Sequence, residues 1–280
     1  MKFNESCYTL EEINYPKGIF DNSVDITYVI TMDNATERQK KVYNQLNKFR
    51  PTKKVIIVKN KGFRKCDKHD YNHNKIDISY KDLTYTNMYI FHLAKKYNHI
   101  LILEDDFIFS NKLLNNKITN SINQFIIDKN PNIYYLGCLP YIFNIFNNSH
   151  PNVCLSTATH AVIYGKTIRE YLGKVYKHKT NYKDIDVMTG TLSGMYMYKE
   201  PLSIQLVLET ENKKNWGHGG ILTKLGGLLL TKFMNVLELD KEENIEYKWN
   251  NLYHKLFIFN IILYLLIYYI VYLGVTKIFK

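Results

Sequence analysis

Three adjacent carboxylates, Glu104, Asp105 and Asp106, interrupt the run ILILEDDFIF at residues 100–109. Apolar residues lead into them and follow them, the pattern of a buried strand that ends at an acidic edge. Side chains of an extended chain alternate faces, so Glu104 and Asp106 share one side and Asp105 faces the other. Two carboxylates converging at a sheet edge suit a hard divalent cation, and a cation with open positions suits a diphosphate. The same spacing serves a phosphatase, a nuclease or a glycosyltransferase. It equally serves acids that cap a helix starting near Ser110 or lie in solvent.

Such acids need a frame. VDITYVIT (24–31), KVIIVK (54–59) and HILILE (99–104) read as strands. Between them NATERQKKVYNQLNKF (34–49) has helical spacing through Val42, Leu46 and Phe49, with Asp33 or Asn34 as the expected cap, and LTYTNMYIFHLAKKY (83–97) is a second helix. NIYYLG (132–137) and THAVIYG (159–165) add strands, KTIREYLGKVY adds a helix, and residues 140–151 read as an Asn-rich connection. Strands alternating with helices predict an α/β fold: a doubly wound, mostly parallel sheet with helices on both faces. Ligands of such sheets bind beyond the carboxyl ends of the strands, which is where the three acids fall.

Rival chemistries fail on their own motifs. No G-x-G-x-x-G follows the first strand, and the GKT at 165–167 lacks the glycine a phosphate loop needs, because position 160 is His160. His160 reads as a core residue. Cys66, His69 and His73 are spaced loosely like zinc ligands but have no fourth ligand nearby.

The chain has 280 residues, 46% hydrophobic, enough for one large domain or two small ones. Its 37 basic and 26 acidic residues give a net charge of +11, but the cations are almost all Lys, with Arg only at 38, 50, 64 and 169. Abundant Lys, Asn, Ile and Tyr match the bias of an AT-rich coding sequence. Scarce Arg argues against nucleic acid as a partner, so a phosphodiester enzyme on nucleic acid is the weaker alternative. Cys7, Cys66, Cys138 and Cys154 are far apart and predict no disulfide scaffold, hence a reducing compartment. The opening residues carry no apolar signal-like run, and the Asn34 and Asn147 sequons read as chance matches. Residues 256–276 are uncharged between Lys255 and Lys277, long enough for a bilayer core of about 30 Å. The organisation expected is a lead-in at 1–24, a domain at 25–235, a linker at 236–255 and a transmembrane helix at 256–276. That predicts a C-terminal tail anchor with the domain in the cytosol. ILTKLGGLLLTKF (221–233) is too short to span and fits the membrane surface or the domain.

In order, DITYVITMDNATERQKKVYNQL, ILILEDDFIF, THAVIYGKTIREYL and NYKDIDVMTG resemble the family 25 glycosyltransferases, over roughly residues 25–190. The resemblance implies a GT-A fold and transfer of a sugar, galactose or glucose, from a UDP-sugar to a hydroxyl of a glycan or protein, with Mn²⁺ or Mg²⁺ on the diphosphate. It implies Thr31 and Met32 lining the nucleotide pocket, with Arg38 near it. Glu104, Asp105 and Asp106 form the donor site, with Asp106 and Glu104 as metal ligands. Inversion at the anomeric carbon needs a base, for which Asp186 matches the family's late Asp and Asp184 is the reserve. His218, in NWGHGG (215–220), stands where a late histidine serves several GT-A enzymes as a third metal ligand, and Trp216 beside it fits a sugar or plain packing. Thr86 and Asn87 replace the family's Ser-His pair. A membrane-tethered, inactive scaffold is the alternative reading.

Overall fold

The computed structural model describes residues 3–146, 149–178, 184–206, 239 and 243–278. Its strands are β1 (Tyr8–Asn14), β2 (Ile26–Met32), β3 (Lys54–Asn60), β4 (His99–Glu104), β5 (Phe107–Phe109), β6 (Ile133–Phe143), β7 (Asn152–Gly165), β8 (Met195–Met197) and β9 (Ser203–Gln205). Its α-helices are α1 (Thr36–Phe49), α2 (Ser79–Leu93), α3 (Asn116–Lys129), α4 (Lys166–His178), α5 (Ile185–Thr189) and α6 (Ile245–Ile278).

Seven strands form one sheet in the order β1-β3-β2-β4-β7-β6-β8, and β5 pairs with β9 apart from it. β2, β3, β4, β6 and β8 run one way; β1 and β7 run against them. The expected mixed α/β, mostly parallel sheet is therefore present. Its strands sort by alternation: Ile100 and Ile102 of β4 enter a core with α2 and α4, while Leu101 and Leu103 enter the opposite core with α1 and α3. Arg169 of α4 ties that layer together by donating to the carbonyls of Ala94 and Tyr97, which end α2.

Several expectations are corrected. The lead-in belongs to the domain, because β1 pairs antiparallel with β3 along its whole length. Its glutamates Glu11 and Glu12 bind Lys59 and Lys54, which lets a polar segment serve as an edge strand. Residues 144–151 are the connection expected, but β6 runs on to Phe143 and β7 begins at Asn152, so the two form a long hairpin whose register shifts repeatedly. α1 starts at Thr36 behind Ala35, and neither Asp33 nor Asn34 caps it. The end of the expected linker, from Ile245, and the apolar segment are one helix. Cys7 and Cys66 form a disulfide that the sequence reading did not expect, and it takes up Cys66, the cysteine of the loose zinc-like spacing.

α6 is long and apolar enough to cross a membrane. Its first half is seated on the domain: Trp249 is fully buried, Tyr253 donates to the Cys138 carbonyl, and Asn260 is fully buried. The Asn260 amide accepts from the Phe143 N–H and donates to the Tyr141 carbonyl, so the one amide in the apolar stretch is spent on the backbone of β6. From Leu265 to Val275 every residue is exposed.

Candidate active site at the ends of β2 and β4

β2 is flanked by β3 on one side and β4 on the other, so the chain leaves β2 in one direction and returns in the other. Such a switch point opens a crevice at the carboxyl ends of the strands. Thr31 and Met32 end β2 on its near side, and Glu104 ends β4 on its far side. Asp105 and Asp106 lie in the turn before β5, so the alternation expected of an extended run stops at Glu104 and the three acids take three directions.

Asp105 crosses the crevice. It accepts from the Thr31 hydroxyl and from Arg38 Nη1, both at 2.8 Å. Burial works against the Arg38 charge, but Asp105 beside it holds its pKa above the ordinary value. Thr31, Arg38 and Asp105 are thus brought together in a mutual lock. Met32 is 40% exposed at the mouth and sits under the β3–α2 loop, where a Cβ on Gly62 would stand 2.6 Å from the Met32 methyl. That loop is anchored by Lys68, fully buried and bonded to Asp82 at 2.5 Å and Asn60 at 2.6 Å. Thr86 joins the cluster by bonding Asn60, and both it and Asn87 are buried, so they form part of the support below the crevice.

Glu104 turns toward β7. Thr159 donates to Glu104 Oε1 at 3.3 Å and to Asp186 Oδ1 at 2.5 Å, while its N–H also donates to Asp186 at 3.0 Å. The preceding Ala158 has φ +65°, a left-handed conformation costly for a residue with a Cβ, and it turns the strand toward α5. Asp184 caps α5 by accepting from the Asp186 N–H at 3.1 Å. Asp106 is buried; Gln205 donates to one of its oxygens at 3.1 Å, and the other has no hydrogen-bond partner among the described residues.

The cluster is under electrostatic stress. Burial, then repulsion from Asp106, Asp186 and Asp184, pushes Glu104 well above the carboxylate range. Burial and Asp105 push Asp106 up to about 7, against the Gln205 bond. Burial and Asp186 push Asp184 up to about 7. Burial also raises Asp186, against the bonds from Thr159. Neighbouring acids in one poorly hydrated place hold protons unless a cation compensates them.

Sequence reasoning missed Thr159 and Gln205. Thr159 was legible in part, because the antiparallel pairing of THAVIYG with HILILE ends at Leu103 opposite Ala161 and leaves Thr159 just past the ladder, at the end where the acids lie. Gln205 had no such signal, since β9 is three residues long. His160 is fully buried beside the Ser203 carbonyl, with burial lowering it to about 4, a core residue as read. Gly137 permits that packing: a Cβ there would stand 2.0 Å from the Ser203 oxygen. His218, Trp216 and the 221–233 segment lie outside the described residues. Among the described residues no three His, Cys, Asp or Glu side chains group closely enough to hold a metal ion alone. No protein-family model matches the chain, and no curated protein matches it significantly.

Proposed function

We propose that the chain is a GT-A-type, metal-dependent glycosyltransferase that moves a hexose from a UDP-sugar to an acceptor hydroxyl and is tethered to a membrane by α6. The observation that carries the reading is the acid cluster at the switch point. Asp106 is buried there with one oxygen that has no partner among the described residues, and Glu104, Asp184 and Asp186 crowd the same place. The order of motifs that resembles family 25 points the same way.

The residues fit a cation. Mg²⁺ and Mn²⁺ are commonly held by one or two carboxylates, with phosphate oxygens and water completing the shell. Asp106 and Glu104 would hold it, and when bound it supplies positive charge to the departing diphosphate. Asp105, bonded to both Thr31 and Arg38, keeps the two walls of the crevice in register, and Met32 lines its mouth. Asp186 takes the acceptor proton. Burial raises its pKa above the ordinary carboxylate value, the direction that makes a carboxylate a stronger base, and Thr159 fixes it beside Glu104. The Cys7–Cys66 disulfide supports placing the domain on the oxidising side of the membrane.

The test is UDP release from UDP-galactose and UDP-glucose by the full chain in detergent with Mn²⁺. Asp186→Asn is expected to lower kcat by about 10²–10⁴-fold, the usual contribution of a general base. Asp184→Asn is expected to do far less, because Asn caps helices as well as Asp. Turnover indifferent to Asp186→Asn removes the assigned base, and no turnover in a folded sample favours the scaffold.

A further inference from the structure

A cavity lies beside the first half of α6, ahead of the point where Asn260 seats the helix on β6. It has a volume of about 550 Å³ and opens between α6, the end of β6 and the segment after β8. Tyr253, His254 and Phe257 come from one face of α6, and Phe143 lies next to Phe257, their ring centroids 6.5 Å apart. Lys112 and Lys199 bring two cations to the same cavity, against the single carboxylate of Glu200. Lys112 donates to Glu200 at 2.5 Å and to Asn250 at 2.9 Å. An ammonium has three donors, so these bonds leave one for a further acceptor.

The position narrows the ligand. Phe257 is the second residue of the uncharged stretch that begins at Leu256, so the apolar rim of the cavity coincides with the start of the apolar helix. His254 sits three residues earlier, about 4.5 Å along the axis at 1.5 Å per residue. The headgroup layer on each side of a bilayer core is about 5–7 Å thick. Cations at that depth meet lipid phosphates, while aromatic walls one turn deeper meet the first methylenes.

We propose that this cavity binds one anionic phospholipid. Its phosphate sits between Lys112 and Lys199, and its acyl chains run past Phe143 and Phe257 onto the exposed face of α6. The site rests on the membrane reading of α6 and is independent of the transferase reading.

The full chain in non-ionic detergent, mixed with equal phosphatidylglycerol and phosphatidylcholine and examined by native mass spectrometry, tests this. One retained phosphatidylglycerol is expected, with preference over phosphatidylcholine of about tenfold, the scale of one or two added cations at an anionic headgroup. Lys199→Gln changes an exposed side chain without threatening the fold and is expected to remove most of that preference. Lys255→Gln, on the same helix but outside the cavity, is expected to leave it intact. Equal retention of both lipids, or equal loss in both variants, overturns the site in favour of loose annular lipid. Displacement of the lipid by excess inorganic phosphate makes it a phosphate site and overturns the lipid assignment. UDP-sugar turnover, read on the same samples, separates failure here from failure of the transferase.

Discussion

At the scale of single residues, the balance of charge in the crevice decides what the site does. Asp105 is compensated by Arg38 and Thr31, whereas among the described residues Asp106 has the Gln205 amide on one oxygen and no partner on the other. Burial raises Asp106 from its ordinary value to about 7, so the folded state keeps a proton that the unfolded chain has lost. Stability from this group is therefore full below pH 4, declines as pH rises from about 4 to 7, and is flat above, where the buried charge is borne in full. Asp106→Asn removes the charge and keeps the shape. With chelator present at pH 7.5 it is expected to raise Tm by about 2–4 °C, the equivalent of about 1 kcal/mol for a chain of this size. The gain is expected to vanish as the pH is lowered toward 4. A Tm gain of the same size at both pH values, measured by thermal unfolding, would show that Asp106 carries no such strain.

Among the elements, α6 stands out because it is both an apolar helix and part of the domain. Asn260 is the hinge of that dual role, satisfying a buried N–H and a buried carbonyl of β6. Asn260→Leu would take the partner from both groups, at a cost of about 1–3 kcal/mol for each one left buried. Hydrogen exchange at the Phe143 amide is expected to speed up, while exchange in β2 and β4 stays unchanged. Unchanged exchange at Phe143 would mean that the helix is not seated on β6. The strands of the sheet interior were legible because parallel strands buried on both faces read as apolar runs, as KVIIVK and HILILE do. β1 was not legible, since YTLEEIN is an edge strand whose glutamates reach lysines of β3. The β6–β7 hairpin was obscured by its Asn-rich tip and shifting register. The crevice acids were visible as a motif, but their three directions depend on a turn that the alternating pattern does not announce.

For the molecule as a whole, the disulfide ties the N-terminal strand to the rest of the domain. Cys7–Cys66 closes a loop of 59 residues that binds β1 to the β3–α2 segment. Chain-entropy arguments give a cross-link of that length about 4 kcal/mol, so reduction is expected to lower Tm by several degrees. A pairing separated so far in sequence leaves no local signature, which is why composition alone misjudged it. Alkylation and peptide mapping of the full chain are expected to find Cys7 and Cys66 protected and Cys154, which is exposed, modified. Free Cys7 and Cys66 would contradict the oxidising placement. Because Trp249, Tyr253 and Asn260 belong to the folded unit, the chain should be studied whole in detergent and not cut before Leu256.

The most direct test of the central claim is a calorimetric titration of the full chain with UDP, with and without Mn²⁺, beside Asp106→Ala. UDP binding that requires Mn²⁺ and disappears in Asp106→Ala is the predicted result. UDP binding that ignores both the metal and the substitution, or no binding by a well-folded sample, would contradict the assignment of the acid cluster to a nucleotide-sugar diphosphate.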